Sequence, residues 1–227
     1  MTVIEHQKQH SPEAYRQETF KDDFHEMEPL LFIVLKQIIE SGKNYDLIIG
    51  DDTSGRFPTL VLAKVLNALK QSNGAETATV RFVGGGRWRS NDISTELNAV
   101  LRRYKKLPER VLIVTDYVGS GTTIKHFDDI LSKHSIQYDV SSLTTFFSED
   151  YLKQQGKIAN GSTIYTGEQR IDPLSIYAQY SLQAGLRRGK SLKSRVIRGW
   201  GATPMVRQAR EEVNRLAGRL LNRLSDI

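Results

Sequence analysis

The clearest chemistry in the sequence lies in residues 111–123, VLIVTDYVGSGTT. Its apolar start predicts a buried strand, and Asp116 follows this strand shortly before a predicted helix. Gly119 and Gly121 permit a positive φ or a close backbone approach, so the amides that open the helix can converge on a phosphate. Three side chains add hydroxyl donors: Ser120, Thr122 and Thr123.

The carboxylate of Asp116 suits a different part of such a ligand. It repels a phosphate, but it accepts hydrogen bonds from sugar hydroxyls or orients a magnesium-bound water. The segment therefore predicts a site for a phosphate joined to a ribose. Neither common nucleotide motif, G-x-x-x-x-G-K-[ST] or G-x-G-x-x-G, follows this strand. The alternative interpretation is a helix N-terminus with flexible glycines and no ligand.

A second segment, residues 45–66, repeats the order of strand, polar loop and helix in YDLIIGDDTSGRFPTLVLAKVL. Four of its residues have amides that can bind a pyrophosphate: Thr53, Ser54, Gly55 and Arg56. The guanidinium of Arg56 adds positive charge. Asp51 and Asp52 can hold magnesium through water. The alternative is an acidic turn before a helix that has Pro58 in its first turn.

A third segment, VGGGRWRSND at residues 83–92, combines three glycines with two arginines. Arg87 and Arg89 are candidates to cover a polyanion, because glycine-rich loops with cationic tips often close over such ligands. The alternative is an exposed turn with solvated arginines. The five histidines show no metal-ligand spacing with carboxylates.

Segment 111–123 resembles the phosphoribosyl-pyrophosphate (PRPP) signature of the type I phosphoribosyltransferases. Loop 51–56 resembles the DSRG loop seen in adenine phosphoribosyltransferases. The resemblance implies a protein that binds PRPP with Mg²⁺ and transfers the phosphoribosyl group to a nitrogenous base, with release of pyrophosphate. It assigns the 5′-phosphate to residues 119–123, the ribose hydroxyls to Asp116, and catalytic roles to Asp116 and Arg56. Three carboxylates would serve magnesium: Asp116, Asp51 and Asp52.

Two positions depart from patterns within this family. Thr115 stands where the family usually has a first acidic residue. Gly119 stands where the hypoxanthine-guanine branch has an aspartate, which speaks against that branch. The missing carboxylate favours a rival hypothesis, a non-catalytic sensor of PRPP or a nucleotide that regulates through its basic C-terminal tail. A third hypothesis is a flavodoxin-like or sugar-binding domain.

The base would bind to a small hood region, for which the resemblance points to residues 163–185. The stacking candidates there are Tyr165, Tyr177 and Tyr180.

Apolar runs alternate with helical patterns along the chain, which predicts an α/β fold: a Rossmann-like parallel sheet of about five strands with helices on both faces. We expect a polar N-terminal segment at 1–28, a phosphoribosyltransferase-like domain at 29–184, and a basic segment at 185–227. The first helix is expected to begin at Pro29, since proline suits a first helical turn.

The basic segment 185–227 has 11 basic and 3 acidic side chains, which gives it a net charge of +8. The whole chain has a net charge of +6, so residues 1–184 together carry a net charge of −2. Apolar residues recur at helical spacing from Val206 to Leu224, and arginines occupy the other face. We expect this helix to pack on the domain or in a homo-oligomer. Nucleic-acid binding is the less favoured alternative.

Composition excludes several classes of protein. The chain has no cysteine, which excludes disulfides and thiolate metal sites. The N-terminus lacks the apolar core of a signal peptide, and no apolar run approaches the roughly 18 residues of a membrane span. We therefore expect a cytoplasmic protein.

Overall fold

The structure is a computed structural model that describes the backbone of residues 12–51, 55–84, 90–170 and 202–225. Five strands form one sheet: β1 (Leu47–Asp51), β2 (Thr79–Val83), β3 (Arg110–Val118), β4 (Gln137–Thr145) and β5 (Ile164–Gln169). The helices are α1 (Pro12–Glu40), α2 (Arg56–Ser72), α3 (Ser90–Leu101), α4 (Thr122–Leu131), α5 (Glu149–Gln154) and α6 (Ala202–Ser225). A 3₁₀ turn, Ser132–His134, follows α4.

All neighbouring strands are parallel, in the order β2-β1-β3-β4-β5. This confirms the predicted five-stranded parallel sheet. The chain leaves β1 toward β2 on one side and then returns to add β3 on the other side. The carboxyl ends of β1 and β3 therefore flank the point at which the strand order reverses, which is where ligands bind in open α/β sheets.

The sheet has helices on both faces because both sets of alternating side chains along its central strands are apolar. Ile48, Leu112 and Leu143 pack in a core with α1, α2 and α6. Ile49 and Ile113 pack in the opposite core with α3, α4 and α5. Near-continuous apolar runs of this kind are typical of strands buried on two faces.

The expectation that the first helix begins at Pro29 is wrong. The helix begins at Pro12, and Pro29 lies exposed inside it. Met27 and Leu31 are both buried, so the buried stripe of α1 already begins before the proline. Packing against the sheet thus outweighs the local cost of an interior proline. The division of the chain into three segments stays a prediction.

Helix α6 packs across α1 and α2. Its buried side chains belong to the same core as theirs: Val213, Leu216, Ala217 and Leu220. Arg219 and Arg223 both reach Glu28 of α1, at 2.7 and 3.7 Å, and the Arg223 guanidinium lies 4.0 Å from the centre of the Phe32 ring. The expected packing of the apolar stripe on the domain is confirmed for these residues. Binding of nucleic acid and self-association stay predictions.

A membrane-spanning helix is not found in the part of the chain that the structure describes, because no helix there is both long and apolar enough.

Candidate functional site

The two loops singled out in the sequence follow β1 and β3, so they meet at the carboxyl edge of the sheet. The parallel pairing of β1 with β3 extends to the pair Gly50 and Val114. A Cβ on Gly55 would lie only 2.4 Å from the carbonyl oxygen of Val114. The end of the first loop is therefore in backbone contact with β3, two residues before Asp116. The fold brings the two candidate loops into one site.

The loop after β3 requires glycine at position 121. Gly121 has φ +73°, and a Cβ there would lie 2.9 Å from Leu152 Cδ2 and 3.0 Å from Lys157 Cβ. It is the N-cap of α4, and this helix start has no hydrogen bond from a capping side chain. The amides of the first turn thus face the loop at the positive end of the helix dipole.

The hydroxyl side chains of this loop lie at its surface. Ser120 and Thr122 are exposed, and their hydroxyls are 2.9 Å apart. Gly119 has no positive φ, and a Cβ there would meet only the movable ring of Tyr117 at 3.0 Å. Of the two glycines, only Gly121 has a positive φ, a backbone conformation that favours glycine. Thr123 is partly exposed on the first turn of α4.

Asp116 is held firmly at the end of β3. It is buried, and its Oδ1 accepts hydrogen bonds from the Tyr117 amide at 2.8 Å and from the Thr115 hydroxyl at 3.3 Å. Its backbone carbonyl accepts a hydrogen bond from Ser142 Oγ of β4 at 3.2 Å. Thr115 therefore supports Asp116 through a hydroxyl, where the resembled family has a second carboxylate.

Glycines also set how closely α2 approaches the end of β1. A Cβ on Gly50 would lie 2.4 Å from Thr59 Oγ1, so α2 can sit this close to the strand only because Gly50 has no side chain. Thr59 Oγ1 donates to the carbonyl of Gly55 at 2.5 Å, and Gly55 precedes α2 without a side-chain cap. These contacts draw the N-terminus of α2 against the sheet edge.

Charged residues flank the loop after β1. Arg56 opens α2, and its guanidinium lies 4.5 Å from the centre of the Phe82 ring of β2. Asp51 is buried at the end of β1. Alternation along β1 assigns Asp51 to the face covered by α3 and α4, since Leu47 and Ile49 pack in that core.

Several predicted site residues lie outside the described residues: Asp52, Thr53, Ser54, Arg87, Arg89, Tyr177 and Tyr180. Tyr165 is described, and the expectation that it stacks on a base is wrong. It is buried in the core under α1, where its hydroxyl accepts from Tyr45 at 3.1 Å. Within the described residues, no group of three or more histidines, aspartates or glutamates could hold a metal ion.

Lys157 is a further candidate site residue that the sequence did not reveal. It follows α5, and its Cβ and Cγ lie against Gly121 of the phosphate-loop candidate. Among the described residues it makes no ion pair, and its four-carbon stem can bring a cation to that loop. No motif surrounds it, so only the fold identifies it.

The amino edge of the same sheet holds a closed cluster of charges around Asp139. This buried carboxylate accepts hydrogen bonds from Lys43 Nζ and the Thr163 amide, each at 2.8 Å, and from the Tyr45 hydroxyl and Arg110, each at 3.0 Å. Four bonds use the acceptor sites of a carboxylate. Asp139 therefore ties four segments together and has no capacity left for a ligand.

The pKa values of this cluster follow from its burial and its cations. Burial alone would raise the pKa of Asp139, but the hydrogen bonds from Lys43, the Thr163 amide and Arg110 outweigh it and hold the pKa below its ordinary value. Burial, together with the hydrogen bond to Tyr165 and the nearby negative charge, raises the pKa of Tyr45. At neutral pH the cluster thus holds an ionised Asp139 and a neutral Tyr45.

Comparison with known proteins gives similarity in structure only. The chain is similar to a crystal structure of orotate phosphoribosyltransferase from Aeropyrum pernix (TM-score 0.34, 18% identity, 60% of this chain and 69% of that one). It is also similar to a crystal structure of adenine phosphoribosyltransferase (TM-score 0.34, 14% identity, 69% and 81%). No protein-family model matches the chain, and no curated protein matches it significantly. Similarities this weak assign neither a family nor a function.

Proposed function

We propose that the chain binds PRPP at the carboxyl edge of its sheet and transfers the phosphoribosyl group to a nitrogenous base. One observation carries the proposal: two helices with glycine at the N-cap, α2 and α4, begin at the β1/β3 switch point beside the buried Asp116. PRPP has two anionic groups on one ribose. A site for it needs two anion-binding loops with a hydroxyl acceptor between them.

The 5′-phosphate fits the loop of residues 119–123. The first-turn amides of α4 point to its position, and the hydroxyls of Ser120 and Thr122 add donors. Lys157 supplies a cation from the α5 side. Asp116 accepts from the ribose hydroxyls, and its contacts with the Tyr117 amide and Thr115 fix the carboxylate in place before the ligand arrives.

The pyrophosphate fits the loop that ends at Gly55. Arg56 begins the helix there, its guanidinium lies over the Phe82 ring, and its positive charge suits phosphate oxygens. Magnesium fits this edge as well, because it usually takes one or two carboxylates together with substrate phosphates. Asp51 and Asp116 are the described carboxylates that would serve it, through water. Bound there, magnesium would neutralise charge on the leaving pyrophosphate.

The chemistry is a displacement at the anomeric carbon of the ribose. The bond from this carbon to the pyrophosphate oxygen breaks, a bond to a ring nitrogen of the base forms, and the proton on that nitrogen is lost. The protein contributes position and charge: the α4 start fixes the phosphate, Asp116 fixes the ring, and Arg56 stabilises the charge that develops on pyrophosphate.

A screen of radiolabelled PRPP with each nucleobase and with orotate tests the transferase function directly. We expect one base to give a labelled nucleotide and an equal amount of pyrophosphate. Catalysis is contradicted if the protein binds PRPP but no base gives product.

The second candidate function is a sensor that binds PRPP or a nucleotide without catalysis. Thr115 favours it, because this position has a hydroxyl where the resembled family has a carboxylate. The substitution Thr115→Asp separates the two functions. If the chain is a transferase slowed by the missing carboxylate, this variant gains activity, whereas a sensor stays inactive in both forms.

A further inference from the structure

An aromatic cluster lies at the carboxyl end of β4, beside the candidate site. It consists of Phe146, Phe147 and Tyr151. The first two rings meet edge to face with centres 4.4 Å apart, and the rings of Phe147 and Tyr151 are stacked with centres 4.3 Å apart. Phe147 packs on the core under α4 and α5, whereas Tyr151 is 41% exposed. The stack thus runs from the core to the surface.

The cluster adjoins the loop that we assign to the 5′-phosphate. The Phe146 amide donates to the carbonyl of Val118 at 2.9 Å, one residue before Gly119. Leu152, which directly follows Tyr151, contacts Gly121. The aromatic rings are therefore positioned by the same short segment that closes against the phosphate loop.

Three candidate surfaces lie side by side along the carboxyl edge, in the same order as the strands. The pyrophosphate candidate lies after β1, the ribose-phosphate candidate after β3, and the aromatic cluster after β4. In a displacement, the incoming atom approaches the anomeric carbon from the side opposite the leaving group. With pyrophosphate on the β1 side of the ribose, the acceptor approaches from the β4 side.

From this order we infer that the aromatic cluster of Phe146, Phe147 and Tyr151 receives the flat ring of the acceptor, with the outer face of Tyr151 as the stacking surface. The inference rests on the proposed function and adds the acceptor's subsite to it. It assigns the acceptor to the planar aromatic heterocycles, because stacking on a tyrosine ring increases the affinity for such rings. An aliphatic amine or the amide of glutamine would gain nothing from this surface.

Calorimetry with two kinds of probe tests the inference. Ribose 5-phosphate reports the sugar-phosphate site alone, and four nucleotides (AMP, GMP, CMP and UMP) add a ring. Base-to-aromatic stacking contributes a factor of roughly 5 to 150 in affinity. We expect at least one nucleotide to bind more than about 5-fold tighter than ribose 5-phosphate, and Tyr151→Ala to remove that advantage while ribose 5-phosphate affinity stays unchanged.

Two control variants keep the result specific. Tyr151→Phe retains the ring and should retain the nucleotide advantage. Leu107→Ala removes a side chain of equal exposure, 40%, just ahead of β3 at the other edge of the sheet, and should change neither affinity. If no nucleotide binds tighter than ribose 5-phosphate, or if Tyr151→Ala lowers both affinities equally, the inference is wrong. If neither probe binds the wild type, the proposed function itself fails.

Discussion

The two edges of the sheet use polar groups in opposite ways. At the amino edge, side chains satisfy one another: Asp139 is buried and accepts four hydrogen bonds from its own chain. At the carboxyl edge, three positions where a side chain would clash with its neighbours are glycines: Gly50, Gly55 and Gly121. Two of these glycines are the N-caps of α2 and α4. The difference teaches that charge alone does not mark a ligand site. We propose that the edge where two helices begin at glycines binds the ligand, whereas the charged cluster around Asp139 stabilises the fold.

A pair of glycines tests this comparison with the largest expected effect. Gly121 and Gly42 both have a positive φ, +73° and +64°, but a Cβ on Gly42 would meet nothing within 4 Å. Each change to valine should cost about 1–3 kcal/mol of unfolding free energy through backbone strain. Only Gly121→Val should also weaken ribose 5-phosphate binding, by about 100-fold, because two charge-assisted bonds are lost. Calorimetry and urea denaturation measure both quantities. Normal binding by folded Gly121→Val would show that this loop is not the phosphate cradle.

A pair of aspartates gives the reciprocal test. Asp139→Asn should lower the unfolding free energy by about 2–4 kcal/mol, because it leaves Lys43 and Arg110 without their anion in a largely buried cluster. Asp116→Asn should change stability by less than about 1 kcal/mol but reduce PRPP affinity about 10-fold, through loss of a charge-assisted bond to the ribose. Denaturation curves and calorimetry on the two variants measure these effects. The comparison between the edges breaks down if Asp139→Asn affects binding and Asp116→Asn affects only stability.

Acid should act on the amino edge through Asp139. Its pKa lies below the ordinary 3.8 in the folded chain, so its contribution to stability is complete above about pH 4 and is lost as pH falls through the folded pKa. The wild type should therefore lose unfolding free energy more steeply below pH 4 than Asp139→Asn does. Urea midpoints at a series of pH values measure the slopes. Parallel slopes would mean that the cluster does not depress this pKa.

Lys157 offers the smallest of the expected effects. Lys157→Met keeps the stem that packs on Gly121 but removes the cation, and we expect ribose 5-phosphate affinity to fall about 5-fold at low salt and less at high salt. Lys125→Met is the matched control, because Lys125 of α4 is already paired with Asp128 and Asp129. Titrations at two salt concentrations measure the difference. If both variants lower the affinity equally, Lys157 acts only through the general surface charge and not through a contact with the phosphate.

The sequence predicted the sheet well because apolar runs and turn residues are local signals. The strand at 111–114 and the helix after Gly121 are found where the pattern placed them. The start of α1 was missed, since its buried stripe continues through a proline that local rules place at a helix start. Tyr165 was misassigned because the sequence around an isolated tyrosine does not indicate whether its ring is buried in the core or lies at a ligand site.

The site was only partly predictable for the same reason. Gly121 and Asp116 stand in a continuous motif, so their residue types alone indicated a phosphate and a sugar. Lys157 and Tyr151 come to the edge only through the parallel crossover into β4 and the turn into α5. Contacts between residues about 30 positions apart along the chain leave no periodic pattern in a single sequence.

The most direct test of the account is a titration of the wild-type protein with PRPP by calorimetry, with and without Mg²⁺. We predict saturable binding at one site per chain that strengthens with Mg²⁺, and weaker binding of ribose 5-phosphate at the same site, so that the two ligands compete. Absence of heat and of competition for both ligands, from a protein shown to be folded by its denaturation curve, would contradict the central claim that the carboxyl edge of this sheet is a PRPP site.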